Sequence, residues 1–184
     1  MSVAASYLVE NHRVESHLVY IGLGSNLSND SGNSRQILQQ AVQALMQLAT
    51  GPVKVSGLYL SKPMGPQDQP DYLNAVAGFE TQLTAQELLA ALQQIEQQAG
   101  RIRLRRWGER TLDLDILLYA EQCIDTPELT IPHVGILQRN FVVIPLLELD
   151  MQLHIAGMPI KDCAAAQKSE GICQIADSSW VTSS

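Results

Sequence analysis

The sequence predicts an α+β fold: a ferredoxin-like split βαβ core, with an antiparallel sheet of four main strands flanked by helices and a C-terminal extension. Three observations predict it. Apolar residues recur with strand and helix periods in the order strand, helix, strand, strand, helix, strand. Turn and capping signals fall between these stretches rather than inside them. The chain has 184 residues, of which 46% are apolar, enough for one compact domain with a substantial core and too little for two. The expected organisation is a flexible extension over 1–17, a single domain over 18–162 and a mobile tail over 163–184.

The first strand is read at about 18–24, in Leu-Val-Tyr-Ile-Gly-Leu-Gly, where β-branched and aromatic residues lead into turn formers. Gly22 and Gly24 suit close packing and a tight exit turn; a phosphate loop is the weaker reading, because no Lys-Ser or Lys-Thr follows. From Ser34, the residues Ile37, Leu38, Ala41, Val42, Leu45 and Leu48 form a helical stripe that Gly51-Pro52 stops. Val53 to Leu60 reads as the second strand. The loop from Ser61 to Asp71 is rich in proline, which fixes φ and gives the loop a shape.

Tyr72 to Leu83 is the third strand, with Tyr72 and Asn74 on one face. An ordinary packing pair and a stacking platform beside an amide are both open readings of these two. Thr84 and Glu87 form a capping box for a second helix that runs to a stop at Gly100. After the strand 113–119, Cys123 to Ile131 reads as an extended return, and Pro132-His133 breaks it. Arg139 to Leu149 reads as a short apolar helix with Pro145 near an end or a kink.

Composition narrows the function. A net charge of -7 argues against general nucleic-acid binding, which uses a broad basic surface. Residues 1–17 contain no long apolar run, so neither a signal peptide nor a membrane span is expected. The three cysteines, Cys123, Cys163 and Cys173, form no Cys-x-x-Cys pair and cannot all pair internally, which suits a reducing cytoplasm.

The most informative stretch is Arg101 to Tyr119. In its second half Asp113 and Asp115 share one strand face while Leu112, Leu114 and Ile116 share the other. Their Cα atoms would stand roughly 6 to 7 Å apart, which lets the carboxylates converge on a hard cation. At ~4 Å and an effective dielectric of ~20, two unneutralised charges repel by about 4 kcal/mol, and a metal ion relieves that. The first half supplies Arg101, Arg103, Arg105, Arg106 and Arg110, with Gly108 for a turn and Trp107 for a flat face. Together these suggest a planar, phosphorylated ligand. The plainer readings are an exposed strand face for the aspartates, a solvated basic face for Arg105 and Arg106, a turn for His133 and core packing for Phe141.

Four motifs taken in order are similar to one enzyme family. They are Gly24-Ser25-Asn26, Gly65-Pro66-Gln67-Asp68-Gln69-Pro70-Asp71-Tyr72-Leu73-Asn74, Arg106-Trp107-Gly108-x-Arg110-Thr111-Leu112-Asp113-Leu114-Asp115-Ile116, and Pro132-His133 followed by Arg139-x-Phe141. Over about residues 18–155 the chain resembles 6-hydroxymethyl-7,8-dihydropterin pyrophosphokinase of folate synthesis. It departs from that pattern in the N-terminal extension, Lys62, Ser61 in place of threonine, and a short arginine loop.

The resemblance implies transfer of pyrophosphate from ATP to the hydroxymethyl group of the reduced pterin, releasing AMP. It implies Asp113 and Asp115 as ligands of two magnesium ions, with Arg101, Arg103 and Arg110 serving the phosphates. Tyr72, Phe141, Asn74, Ser61, Met64, Gly65 and Trp107 would bind the pterin. Glu96, Arg103, Arg110, Ile116, Thr130, His133 and Arg139 would bind ATP. The arginine loop, 101–109, is expected to order only over bound substrates. The implied protein is a cytoplasmic monomer with no nucleic-acid or membrane partner. A nucleotide-binding module without turnover and a nucleotidyltransferase using the same carboxylate pair are the competing classes.

Overall fold

The computed structural model describes residues 15–101 and 108–182. In chain order the elements are β1 (His17–Ser25), α1 (Ser34–Met46), β2 (Lys54–Val55), β3 (Leu58–Ser61), β4 (Tyr72–Thr81), α2 (Ala85–Gln98), β5 (Asp113–Tyr119), β6 (Ile124–Asp125), β7 (Thr130–Ile131), α3 (Asn140–Leu149), β8 (His154–Ile155), β9 (Met158–Pro159) and β10 (Ile172–Ala176). The main sheet runs β10-β3-β4-β1-β5, with β2 also paired to β4, and every pairing in it is antiparallel. β4 lies between β1 and β3, and β1 lies between β4 and β5, so each helical crossover straddles one strand. That is the split βαβ arrangement, and the expected α+β antiparallel core is borne out.

Each crossover helix is started by reciprocal capping. The Thr84 hydroxyl accepts from the Glu87 N–H, and the Glu87 carboxylate accepts from the Thr84 N–H. α1 uses Asn33 and Gln36 in the same way, a cap that the sequence reading did not pick out. Gly100, at φ +72°, supplies the left-handed residue just beyond α2. The stripes of both helices then pack on one face of the sheet. Ile37, Leu38, Leu45, Leu88 and Leu92 meet Val19, Ile21, Leu23, Leu114 and Ile116, all fully or nearly buried. α3 lies on the opposite face, where Val142 and Leu146 meet Tyr20, Val76 and Leu117.

Four local expectations change. β1 begins at His17, inside the expected extension, and its ring lies 5.0 Å from that of Tyr119. Gly22 and Gly24 form no exit turn, because β1 continues through both of them to Ser25. The single strand expected over 53–60 is divided at Ser56-Gly57, where the Ser56 hydroxyl replaces a backbone partner by accepting from the Val76 N–H.

The fourth change is the C-terminal segment, expected to be mobile. It contributes β10 to the sheet edge and buries Trp180 completely, with the indole N–H donating to the Ser56 carbonyl at 2.9 Å. Burial of the indole and the ladder of β10 on β3 act together against the conformational entropy lost when the segment orders. Among the described residues no helix is long and apolar enough to cross a membrane.

Candidate active site

The face of the sheet that carries α3 is open at one end because of what β1 places there. Strand alternation sends Val19, Ile21 and Leu23 toward α1 and α2, leaving Gly22 and Gly24 on the α3 side. Gly24 pairs with Asn74 on β4 and with Asp113 on β5, while Gly22 pairs with Val76 and Asp115. Two missing side chains at the centre of three strands create a floor. A Cβ on Gly24 would meet Asp113 Cβ at 3.7 Å, Asn74 Oδ1 at 3.8 Å and the Tyr72 ring at 3.9 Å.

The resulting cleft has a volume of about 270 Å³. Ten of the expected residues line it: Ser61, Met64, Tyr72, Asn74, Arg110, Asp113, Asp115, His133, Arg139 and Phe141. Gly22, Gly24, Lys62, Val76, Leu117 and Val142 join them, none of which the sequence reading had assigned to a site. Gly22, Gly24, Val76 and Leu117 had a signal in the period-two rule, since they share faces with Asn74 and Asp115. Using it required knowing which strands are neighbours.

The carboxylates stand at one end. Arg110 Nη1 donates to Asp113 Oδ2 at 2.6 Å, and Arg101 Nη2 lies 2.6 Å from Oδ1 as an ion pair without hydrogen-bond geometry. Arg101 is itself enclosed, with a side chain 8% exposed, and it also donates to the buried Glu96. Glu96 does not line the cleft. Its Oε1 accepts from the Leu114 N–H at 2.7 Å, which ties α2 to β5 and holds Arg101 behind Asp113. Burial pushes the Glu96 carboxyl upward, against the hydrogen bond from Leu114 and the charge of Arg101.

Asp115 is different. It has no arginine within ion-pair distance among the described residues, and its basic neighbour is His133, with Nε2 at 3.8 Å. Its side chain is 42% exposed toward the cleft, yet the surrounding protein desolvates it and raises its pKa, and the charge of Asp113 raises it further, while His133, Arg139 and Arg110 oppose that. His133 has a defined orientation, because its Nδ1 accepts from the Gly135 N–H at 3.1 Å. A neutral ring so held carries its proton on Nε2, facing Asp115. Gly135 also makes room for Arg139, whose Nε would lie 2.5 Å from a Cβ added there.

At the other end are aromatic and amide groups. Tyr72 opens β4 and Phe141 stands on the first turn of α3, so the two reach the cleft from different layers. The Asn74 amide donates to Ser61 Oγ at 2.9 Å, which leaves Oδ1 as an acceptor toward the cleft. The Tyr72 hydroxyl donates to the Gly108 carbonyl at 2.8 Å, and burial raises its pKa first. Asn26, only 4% exposed, holds the surrounding loops: its amide donates to Gln69 and the Pro70 carbonyl, and its Oδ1 accepts from the Arg110 N–H.

Three other assigned residues are placed away from the cleft wall. Ile116 faces the helix-covered core, Thr130 lies on β7, and Gly65 sits at φ +112° in the proline-rich loop. Arg103, Trp107 and most of the expected lid, 102–107, lie outside the described residues. Asp113 and Asp115 fit magnesium by their chemistry. That ion takes oxygen ligands, commonly one or two carboxylates completed by phosphate oxygens and water.

The model of the family described as 7,8-dihydro-6-hydroxymethylpterin-pyrophosphokinase matches residues 20–151. A 2-amino-4-hydroxy-6-hydroxymethyldihydropteridine pyrophosphokinase of Haemophilus influenzae is 53% identical over 142 residues, spanning 77% of this chain and 86% of that protein. Its counterpart in Pseudomonas aeruginosa is 46% identical over 156 residues, spanning 84% and 94% respectively. Among solved structures, a Plasmodium falciparum HPPK-DHPS with pteroate superposes with a TM-score of 0.61 at 13% identity, covering 85% of this chain. This chain spans only 44% of that longer one, and the likeness concerns the fold alone.

Proposed function

The chain belongs to the 7,8-dihydro-6-hydroxymethylpterin-pyrophosphokinase family, and from that premise we propose how its glycine-floored cleft carries the family's reaction. The activity is transfer of pyrophosphate from ATP to the hydroxymethyl group of 6-hydroxymethyl-7,8-dihydropterin, in folate biosynthesis. The observation that carries the site assignment is the single cleft in which one carboxylate pair and one aromatic pair meet.

In this reading the pterin ring lies between Tyr72 and Phe141, at the centroid spacing of ~4.5–7 Å that aromatic pairs adopt on each side. Asn74 Oδ1 accepts from a ring N–H, an orientation set by the bond its amide already gives to Ser61. The hydroxymethyl group then points toward Asp113 and Asp115. Arg110 and Arg101 pair with Asp113 and place positive charge at the phosphate end. His133 offers its Nε2–H and Arg139 its guanidinium to the nucleotide from the α3 side.

Two magnesium ions, held by Asp113 and Asp115 together with the triphosphate, would neutralise phosphate charge during transfer. The substrate hydroxyl oxygen forms a bond to the β-phosphorus while the bond from that phosphorus to the α–β bridging oxygen breaks, so AMP leaves and the hydroxyl proton passes to solvent. Alignment and fixed positive charge carry most of the acceleration in such a reaction. The reading extends to a cytoplasmic monomer without nucleic-acid or membrane partner, in which three free cysteines support the cytoplasm and the net charge of -7 the lack of a nucleic-acid partner.

A product assay tests the site assignment. With ATP, magnesium and the reduced pterin, the wild type should release AMP, and Asp113→Asn should not. Release of ADP or of free pyrophosphate instead would replace pyrophosphoryl transfer with phosphoryl or nucleotidyl transfer.

A further inference from the structure

One interaction outside the cleft ties together the two walls of the ring site. Glu148 lies near the end of α3, seven residues after Phe141, hence on the same helix face and roughly 10 Å along the axis. Glu148 is solvent-facing as a residue, yet its carboxylate turns inward. Oε2 accepts from the Gly57 N–H at 2.7 Å, and Oε1 accepts from the Tyr59 hydroxyl and, at 3.3 Å, from Gln174 Nε2. Gly57 and Tyr59 are both buried, and they stand where the strand is divided between β2 and β3.

What these donors sit beside gives the contact its meaning. Tyr59 is the register partner of Asn74, and Ser61, two residues on, receives the Asn74 amide. β3 therefore carries one half of the polar edge of the ring site, while α3 carries Phe141. α3 is held at its first turn by Asn140, whose amide donates to the Lys168 and Glu170 carbonyls. Pro145 has no N–H to give to the Phe141 carbonyl four residues earlier, which interrupts the ladder between that turn and Glu148 and leaves the far end of the helix to be fixed from outside. Burial, and then the bond to Glu148, keep the Tyr59 hydroxyl protonated and donating.

We propose that Glu148 is a positioning residue for the pterin: by accepting from Gly57 and Tyr59 it fixes the distance between α3 and β3, and so the gap between Phe141 and the Ser61–Asn74 edge. The proposal rests on the reading that the pterin lies against Phe141. Removing the carboxylate leaves two buried donors unsatisfied, and the helix can shift to let water reach them. The loss should fall mainly on the ring, because Asp113, Asp115 and Arg110 are held from β5 and α2, while Arg139, the N-cap of α3, is the one nucleotide contact named above that moves with the helix.

Kinetics of full-length variants test it. Glu148→Leu should raise the KM for the pterin about tenfold, a part of what two unsatisfied buried donors lose, with the KM for ATP raised by less than about threefold. Glu148→Gln should restore the pterin KM to within about threefold of wild type, because its amide oxygen accepts from Gly57 while its NH₂ donates to the Tyr59 oxygen. If Glu148→Leu does not fold, Tyr59→Phe takes its place and should raise the pterin KM alone. Parallel rises in both KM values, or an unchanged pterin KM, would overturn the proposal in favour of a purely structural contact. Phe141→Ala is the control. A pterin KM unaffected by Phe141→Ala removes the ring-site reading itself, whereas a raised value with silent Glu148 variants removes only the role of Glu148.

Discussion

The two faces of the same three strands are built on opposite plans. Toward α1 and α2, β1 presents Val19, Ile21 and Leu23, each at most 3% exposed and packed by leucines from both helices. Toward α3 it presents Tyr20 and then two glycines, and the cleft begins where the side chains stop. One face is defined by bulk and the other by its removal. On the packed face a lost methylene costs stability, whereas on the cleft face an added one occupies the place of substrate. Stability and chemistry are thereby carried by alternate residues of one strand.

The largest effects should come from the charged end of the cleft. Asp113→Ala or Asp115→Ala should lower turnover by roughly 10³-fold or more while the protein stays folded, because the cation and phosphate site loses half of its carboxylate pair. Both residues lie on the α3 side of β5, away from the leucine core. AMP release within a few-fold of wild type at saturating magnesium would break the assignment.

A direct test of the two plans exchanges one residue on each face. Gly24→Val should reduce pterin binding by roughly 100-fold or more, since its methyl groups would occupy space between Asp113, Asn74 and Tyr72. Its effect on stability should stay within about 1 kcal/mol, because valine suits a strand. Leu38→Ala, at a position 0% exposed on α1, should cost about 2–5 kcal/mol and leave kcat/KM per folded molecule unchanged. Thermal melts beside titration with the pterin separate the outcomes, and a Gly24→Val protein that binds pterin normally would remove the floor from the site.

Smaller again is the aromatic pair. Tyr72→Ala or Phe141→Ala should weaken pterin binding by on the order of 1 to 3 kcal/mol, with a lesser effect on ATP. Calorimetry for each ligand decides this, and equal losses would point to a general loss of structure. Tyr72 carries the further bond to the Gly108 carbonyl, so Tyr72→Phe should show how much of its effect comes through the segment leading to Arg110.

The same contrast explains what could be read in the sequence. The stripes of α1 and α2, the Thr84–Glu87 cap, and the shared faces of Asp113 with Asp115 and of Tyr72 with Asn74 are local patterns, each spanning a few residues. They were legible because period and spacing are properties of the chain alone. The glycine floor, the Glu96–Arg101 support behind Asp113 and the break at Ser56-Gly57 depend on which strands become neighbours. Trp180 is the extreme case. Its indole finds the Ser56 carbonyl 124 residues away, and its own carbonyl accepts from Gln39 on α1, so a short polar segment that looks mobile closes the sheet edge.

The subtlest prediction concerns the charge that the open face tolerates. Asp115 has its pKa raised by burial and then by Asp113, so in the folded protein it ionises at a higher pH than in the unfolded chain. The native state therefore holds more protons between the ordinary carboxylate range and that raised value, and stability falls as pH rises through this window. Asp115→Asn resembles the protonated acid and does not titrate. Its melting temperature should match wild type at the acid end of the window and exceed it at neutral pH, by a margin that grows across the window and then levels off. Magnesium with an ATP analogue should narrow the gap by stabilising the ionised wild type more than the variant, which keeps only half of the carboxylate pair. Turnover should be lost in Asp115→Asn at every pH, so that a more stable protein is a less active one. A melting difference that is constant with pH, or of opposite sign at neutrality, would mean that His133 and Arg139 already compensate Asp115 and that the cleft stores no such repulsion.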